Sequence, residues 1–330
     1  MKTPSRRFSF LLILLLLLLG GLFLSLLVGP VPTSLRDLWD FLFHHDQTYS
    51  SIFIDIRLSR TLLAFLVGAS LSLSGAILQG YFRNPMAGPF VVGVSSGASL
   101  GAVLCIYLGL NFQVWGFSLQ SLFSFFSGFL LVSLVYMISQ KKGILKVEIL
   151  LLTGIAAGAL ASSLTSFFIF FKSESFEQAV FWLLGSFALA AWNQIMAILP
   201  YFCLCFLIAQ WLAKDMNLLS MGDEVASSLG CSVHRVRKIF LAISTLLAAS
   251  AVSVSGIIGF IGLVVPHWVR ILIGPDHRYL FFLSSLAGGV FLVFSDLVAR
   301  MLISPTELPI GIITAGIGAP FFIYLLYQHK

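Results

Sequence analysis

Charged side chains are scarce in this sequence. Aspartate, glutamate, lysine and arginine together make up 10% of its 330 residues, whereas hydrophobic side chains make up 59%. A soluble globular protein of this size would need many more polar side chains to cover its surface. The composition therefore excludes the soluble classes and predicts an integral membrane protein.

Cysteines are few and scattered. Three of the four, Cys105, Cys203 and Cys205, lie in apolar runs, and Cys231 lies in a charged loop. No spacing among them indicates a disulfide framework. All four are interpreted as packing residues.

Several chemical motifs are also missing. The apolar runs carry no acidic or basic residue near their centres, which disfavours an ion-coupled carrier or a charge-lined channel. A carrier or channel that works alone is kept as the alternative class of function. The six histidines show no metal-binding spacing, and no G-x-x-x-x-G-K-[ST] loop is present to bind nucleotide phosphates. No catalytic residue, metal site or cofactor is predicted on this chain. Any ATP that drives it must be hydrolysed by another polypeptide.

Long apolar runs are what the sequence does have, each about as long as a helix needs to cross a bilayer core of about 30 Å. They predict an all-α integral membrane protein with about ten transmembrane helices, the first of which is a span and not a cleaved signal peptide. Residues 179–191 form a further apolar piece that is too short to cross. The predicted spans are 8–28, 60–82, 90–108, 114–139, 148–171, 194–213, 238–257, 261–273, 279–300 and 308–327.

The basic residues indicate topology and not nucleic-acid binding, because they lie in short loops beside the spans. The seventh and eighth spans could form one helix, but ten spans place more of the basic residues inside than nine spans do. Both termini are then cytoplasmic. The basic residues predicted to face the cytoplasm are Lys2, Arg6, Arg7, Arg83, Lys141, Lys142, Lys146, Lys214, Arg235, Arg237, Lys238, Arg270, Arg278 and Lys330. Those on the outer side are Arg36, Arg57, Arg60, Lys172 and Arg300.

The two halves of the chain contain similar short segments at corresponding places. The segments SLSG at 72–75 and SVSG at 253–256 each close the second span of a five-span unit. Because five is odd, the two units would run in opposite directions, which is typical of transporters. We expect one transmembrane domain over 1–330, built from two inverted five-helix repeats near 1–172 and 190–330.

Polar segments occur on both predicted faces. In the cytoplasmic segment near 214–236, a run of small residues ends at a glycine, which predicts a short helix. The segment is interpreted either as a solvated loop or as a rigid lever gripped by a cytoplasmic motor protein. The segment RNPMAGP at 83–89 predicts a tight turn on the same face. On the outer face, Arg57, Arg60 and Arg300 are interpreted as interfacial anchors or as an exposed cationic rim that meets an acidic partner.

Several segments resemble the iron-siderophore, haem and cobalamin permeases of bacterial ABC importers, over about residues 50–327. The resemblance implies a dimer with an identical or sister permease, in the bacterial cytoplasmic membrane. It also implies two cytoplasmic ATPase subunits, which use the ATP, and one external solute-binding protein. The segments are RLSRTLLAFLVGASLSLSGAILQGYFRNPMAGPFVVGVSSGASLGA, SSLGCSVHRVRK, GFIGLVVPHWVRILIGPDHRYLFFLSSLAGG, SDLVAR and ELPIGIITAGIGAPFFIYLL.

The resemblance further implies roles for individual residues. Docking of the binding protein falls on Arg57, Arg60 and Arg300, and the cytoplasmic gate falls on Asn84 and Met86, where the methionine replaces a commoner leucine. The cargo is predicted to be an iron(III)-siderophore, with haem, cobalamin or an oxyanion as alternatives. Coupling to the ATPase falls on residues 215–231, with Asp223, Glu224, Ala226, Leu229 and Gly230.

Overall fold

The computed structural model of this protein describes most of the chain. The described residues are 4–328 apart from 30, 44–48, 111, 115–116, 142–143, 146 and 173–175. Four of the predicted cytoplasmic charges, Lys2, Lys142, Lys146 and Lys330, lie outside the described residues.

Fourteen α-helices and two short hairpins make up the described part of the chain. The helices are α1 (Pro4–Leu27), α2 (Leu35–Phe43), α3 (Ser59–Tyr81), α4 (Val94–Tyr107), α5 (Leu119–Ser139), α6 (Val147–Phe171), α7 (Phe176–Leu184), α8 (Trp192–Trp211), α9 (Ala213–Ser220), α10 (Asp223–Ser228), α11 (Val233–Ser255), α12 (Ile261–Ile273), α13 (His277–Met301) and α14 (Ile310–Gln328). A π-helical segment (Ser51–Leu58) leads directly into α3, and a 3₁₀ turn (Pro89–Val92) precedes α4. The antiparallel strand pairs are β1 (Gln113–Val114) with β2 (Phe117–Ser118), and β3 (Gln140–Lys141) with β4 (Ile144–Leu145).

Ten of these helices coincide with the ten predicted spans. Within the described residues, seven helices are long and apolar enough to cross a membrane. Three shorter apolar helices, Val94–Tyr107, Ile261–Ile273 and Ile310–Tyr324, occupy the predicted third, eighth and tenth spans. The prediction of an all-α membrane protein with about ten spans is confirmed.

The break between α11 and α12 is built from residues with positive φ. Gly256 has φ +70° and Phe260 has φ +66°. A side chain at Gly256 would also collide with the backbone carbonyl of Trp182, so this position requires glycine. The predicted seventh and eighth spans are therefore two separate helices.

The short apolar piece predicted at 179–191 forms the end of α7 and a turn. Gly185 follows α7 with φ +72°, and its carbonyl accepts a 3.0 Å hydrogen bond from the Ile310 N–H. The Ser186 N–H donates to the Ser255 carbonyl at 2.9 Å. The turn after α7 is thus fastened to the end of α11 and to the start of α14.

Helix α3 lies at the centre of the bundle and is almost completely buried. It packs against α11, α12 and α13. A Cβ atom added at Gly68 would overlap the backbone of Gly288, and one added at Gly75 would overlap the backbone of Gly262. Small residues let helix backbones approach closely in membranes, where apolar lipid supplies little drive for association. The position of α3 therefore depends on glycine at these contacts.

The packing of the two halves is reciprocal. Helix α3, the second span of the first half, packs against α12 and α13, and α11, the second span of the second half, packs against α4 and α5. An inverted repeat predicts this exchange of partners. The repeat boundaries near 1–172 and 190–330 stay a prediction.

We expect Gly75→Val to destabilise the protein by about 3 kcal/mol or more, because the added side chain would meet backbone atoms that no rotamer change can move. Thermal unfolding of the purified protein in detergent measures the effect. The control is Gly20→Val in α1, where an added Cβ has no atom within 4 Å. Equal melting temperatures for the two variants would contradict this account of the α3 contact.

Candidate functional site

Charged side chains cluster at the two ends of α3. The Arg60 cluster consists of four residues joined by ion pairs, Arg60, Asp296, Arg300 and Glu307, and of the nearby Arg57, three residues before Arg60. The Asp223 cluster consists of Arg83, Asp223 and Arg237. Helix α3 has 23 residues, and a rise of 1.5 Å per residue separates its ends by about 35 Å. The two clusters therefore lie about one bilayer thickness apart.

Arg60 binds two carboxylates with different edges of its guanidinium group. Its Nε lies 3.1 Å from both oxygens of Asp296, and its Nη2 lies 2.9 Å from Asp296 Oδ1. Its Nη1 donates to both oxygens of Glu307 at 2.9 Å. Such forked, charge-assisted bonds are among the strongest that proteins make. Arg60 thereby joins α3 to α13 and to the segment that follows α13.

Arg300 shares the same buried carboxylate from the next turn of α13. Its Nε lies 3.2 Å from Asp296 Oδ2, and its Nη2 donates to the Ser25 hydroxyl at 2.8 Å. The Ser25 hydroxyl in turn contacts the Thr61 hydroxyl. Helices α1, α3 and α13 are thus linked by one polar network.

Arg57 closes the C-terminal end of α1. Its Nη1 donates to the Leu26 carbonyl and, at 2.6 Å, to the Thr33 hydroxyl. Its Nη2 donates to the Val31 carbonyl at 2.5 Å. A cation is favoured at a helix C-terminus, where unpaired carbonyls and the helix dipole are negative. Arg57 therefore ties the end of α1 and the residues that follow it to the π-helical segment.

The expectation that these arginines form an exposed rim is wrong. Arg57, Arg60 and Arg300 expose only 3%, 7% and 3% of their surface. The physical reason is internal pairing. Asp296 and Glu307 supply the charges that a partner was expected to supply to Arg60 and Arg300, and backbone carbonyls occupy Arg57. Sequence reasoning missed both acids. The four-residue spacing of Asp296 and Arg300 was the one signal that could have indicated a pair.

The Asp223 cluster fastens α9 and α10 to the bundle. Arg83 Nη2 and Arg237 Nη2 both donate to Asp223 Oδ1, the latter at 2.8 Å. Arg83 Nε also donates at 2.8 Å to the Leu219 carbonyl near the end of α9. The Arg237 guanidinium lies 5.1 Å from the ring centre of Tyr81. The segment is thereby held against the last turn of α3 and the first turn of α11.

The tight turn predicted at 83–89 follows α3 directly. The Met86 N–H donates to Asn84 Oδ1 at 2.9 Å, and the Asn84 N–H donates to the Gln79 carbonyl at 3.1 Å. Asparagine side chains stabilise turns by such bonds, and the following proline cannot continue a helix. Asn84 is exposed and Met86 is half-buried. The turn is confirmed, and the gating role of both residues stays a prediction.

Helix α10 is the short helix that the sequence predicted before a glycine. Gly230 follows it with φ +84°, and the Cys231 N–H donates to the Ala226 carbonyl at 2.9 Å. Glu224 and Leu229 are exposed. Ala226 is completely buried in the apolar core, so its side chain does not form part of the exposed surface of α10, and its role in coupling stays a prediction. The exposed side of α10 remains available to a partner.

A second tie joins α9 to the start of α13. The Asn217 side-chain amide donates to Asp276 Oδ1 at 2.8 Å, and its oxygen accepts from the His277 N–H at 2.9 Å. Hydrogen bonds from the Arg278 guanidinium and from Asn217 hold the pKa of the Asp276 carboxyl well below its usual range. Asp276 therefore stays ionised and keeps this tie at neutral pH.

No cluster of three or more histidine, cysteine, aspartate or glutamate residues in the described ranges could hold a metal ion. The four cysteines are free thiols, and Cys203 alone among them is exposed. Most of the polar groups described above are arginines paired with carboxylates, hydroxyls and backbone carbonyls. Such groups bind partners and position helices, and they contain no nucleophile aligned with a general base.

A model of the FecCD transport family matches residues 15–328, which include both clusters, most of the first predicted span and all of the other nine. The chain belongs to the FecCD transport family. This FecCD protein is 45% identical over 285 residues to the cobalamin import system permease protein BtuC of Halobacterium salinarum, covering 86% of this chain and 75% of that protein. It is 37% identical over 339 residues to the hemin transport system permease protein HmuU of Yersinia pestis, covering 99% of this chain and 97% of that protein.

A solved structure supports the same assignment of the FecCD chain. It is described as an inward-facing conformation of a metal-chelate type ABC transporter, and it shares 35% sequence identity with a TM-score of 0.87. The match covers 99% of this chain and 100% of that one. The FecCD protein is therefore a multi-pass permease subunit of an ABC importer.

We expect Asp296→Asn to lower the free energy of unfolding by about 3 kcal/mol or more, because it leaves two buried arginines without their shared carboxylate. Thermal unfolding in detergent is the measurement. The matched control is Asp40→Asn, whose 3.8 Å pair with Arg36 lies at the surface and contributes less than about 1 kcal/mol. A melting temperature unchanged by Asp296→Asn would contradict the structural role of the Arg60 cluster.

Proposed function

We propose that this permease imports a bulky metal chelate, with an iron(III)-siderophore as the first candidate. An external solute-binding protein delivers the chelate at the Arg60 cluster, and cytoplasmic ATPase subunits act on the segment α9–α10. The observation that carries the proposal is the FecCD match over residues 15–328, together with charged clusters at both ends of one central helix.

The orientation follows from the distribution of basic residues. With both termini in the cytoplasm, the Asp223 cluster lies inside and the Arg60 cluster lies outside, as the positive-inside rule favours. The Arg60 cluster holds three arginines against two carboxylates. This excess of positive charge supports docking of an acidic protein surface, which electrostatic attraction would steer and orient.

The positions of the charged groups in the spans support transport that is driven by a separate ATPase subunit. The charged residues of the described spans lie toward the span ends, and several of them are held in the two clusters. His267 differs, because it lies at the centre of the short helix α12. An ion-coupled carrier places charged groups near the membrane midplane, where they bind the coupling ion. ATP hydrolysis by a separate subunit needs no such group in this chain.

The Asp223 cluster offers a direct route from the ATPase to the gate. Asp223 begins α10, Arg83 binds Asp223, and Asn84 and Met86 of the proposed gate follow Arg83 in the chain. The exposed Glu224, with Leu229 and Gly230, forms the surface that the ATPase contacts. Movement of α10 would then displace the gate turn through one ion pair. Nucleotide can drive this change only if it binds the two states with different affinities.

The names of relatives favour a second candidate cargo. One relative at 45% identity is a cobalamin import permease, and others are permeases for hemin, iron(III)-citrate, iron(III)-hydroxamate and molybdate. Cobalamin is therefore the alternative that a specific observation supports. Haem is a bulky metal chelate too and is a further alternative. The second permease copy completes the path in either case and is an identical chain or a sister permease.

Reconstitution in liposomes tests this function. The permease is combined with its candidate ATPase and binding protein, and uptake of radiolabelled iron(III)-siderophore, cobalamin and haem is measured in parallel. We expect uptake of one ligand that requires both ATP and the binding protein. The control is an ATPase subunit in which the phosphate-binding lysine is replaced. Uptake that persists in this control would contradict the importer and favour a carrier or channel.

Two acidic residues at the start of α10 give a further prediction. Asp223→Asn weakens the bonds to Arg83 and Arg237, so we expect uptake per ATP hydrolysed to fall by roughly fivefold, a coupling loss of about 1 kcal/mol. Glu224→Gln removes the same charge from an exposed side chain, so we expect weaker ATPase binding in a pull-down assay and unchanged uptake per ATP. If the two variants had the same uptake per ATP and the same ATPase binding, the proposed role of the Asp223 ion pairs in coupling would be contradicted.

A further inference from the structure

Glu307 is the part of the Arg60 cluster that reaches the surface. Its side chain is 26% exposed, whereas those of Arg60 and Asp296 are 8% and 2% exposed. It lies in the segment between α13 and α14, in which residues 302–306 are all exposed. The Leu308 N–H donates to the Ala299 carbonyl at 3.1 Å and anchors the end of this segment. Glu307 thus covers Arg60 from the outer side.

The guanidinium of Arg60 has two functionally distinct edges. The Nε and Nη2 edge binds the buried Asp296, and the Nη1 edge binds only Glu307 among the described residues. An approaching carboxylate could reach Nη1 from outside, but it would find that position occupied. The inner edge would keep its bonds to Asp296 throughout.

We propose that Glu307 occupies, in the uncomplexed permease, the place on Arg60 that a carboxylate of the binding protein takes on docking. The inference rests on the proposed function, since it assumes that an acidic partner docks at the Arg60 cluster. Glu307 is then an intrinsic competitor, which regulates how tightly the partner binds.

The exchange has a physical advantage over an uncovered arginine. Without Glu307, Arg60 would keep its bonds to Asp296, but its Nη1 edge would lose its partner, and a buried polar group without a partner is destabilising. Replacement of one carboxylate by another keeps that edge paired before and after docking. The released Glu307 is partly exposed already, so water can solvate it. Docking affinity then reflects the difference between two similar ion pairs, which suits a partner that must dissociate after each delivery.

Glu307→Gln is the test variant, and Asp55→Asn is its matched control. Each replaces one carboxylate near the outer end of α3 by the corresponding amide. The Asp55 side chain is exposed and takes no part in the Arg60 cluster. Both variants remove one negative charge, so any general effect of that change on an acidic partner is present in both. Only Glu307→Gln weakens the bonds between residue 307 and Arg60.

The measurement is the Kd of the cognate binding protein for the permease–ATPase complex in lipid nanodiscs, determined by surface plasmon resonance. We expect Glu307→Gln to lower Kd by about tenfold relative to wild type, which corresponds to about 1.4 kcal/mol. Asp55→Asn is expected to change Kd by less than about twofold, as an exposed charge that mainly affects the association rate. Raising the salt concentration should reduce the second effect more than the first.

An unchanged or raised Kd for Glu307→Gln, with wild-type binding intact, overturns the inference and leaves the proposed function standing. A wild-type complex that binds no candidate protein overturns the docking function, and the inference with it. If Glu307→Gln lowers the melting temperature, Glu307→Asp provides the second variant. Aspartate keeps the negative charge on a shorter side chain, so its bond to Arg60 is weakened and not removed. We expect a decrease in Kd smaller than that of Glu307→Gln, and an unchanged Kd would overturn the inference.

Discussion

The bond between Arg60 and Asp296 is the constraint on which the arrangement of the bundle depends. A charged side chain inside a membrane protein is costly unless it is paired, and a buried pair is held by the loss that either partner would suffer alone. Asp296 receives bonds from Arg60 on α3 and lies beside Arg300 on its own helix. The end of α3 that carries Arg60 can therefore take one position relative to α13, and the glycine contacts farther along α3 fix its distance from α12 and α13.

The same central helix ends in the Asp223 cluster, so it connects the two faces of the permease. Arg83 at its far end holds both the carbonyl of Leu219 and the carboxylate of Asp223. A packed helix cannot deform continuously, and small shifts at its ends appear as a change between discrete arrangements. The proposed docking and coupling surfaces are thus attached to opposite ends of one rigid element. This arrangement suits the proposed function, in which cargo is delivered at one end of α3 and the ATPase acts at the other.

Hydropathy and glycine placement predicted most of the fold. The ten apolar runs became ten helices, the glycines near 256–262 became a true break, and Gly230 ended a short helix. These features are local, because span length and backbone conformation depend on neighbouring residues. Pairing of Arg60 with Asp296 and Glu307 joins residues 236 and 247 positions apart. No local pattern reports such a contact, and the arginines were therefore expected to be exposed. The burial of Ala226 could not be predicted for a similar reason, since it depends on how α10 packs against the bundle.

A double-mutant cycle with Arg60→Met and Asp296→Asn tests the central constraint most directly. The free energies of unfolding of the wild type, both single variants and the double variant are measured in the same detergent. The account predicts a coupling free energy of about 2 to 3 kcal/mol between the two positions, since the loss of one partner removes the benefit of the other. Additivity within about 0.5 kcal/mol would show that the two side chains do not depend on each other, and would contradict the account.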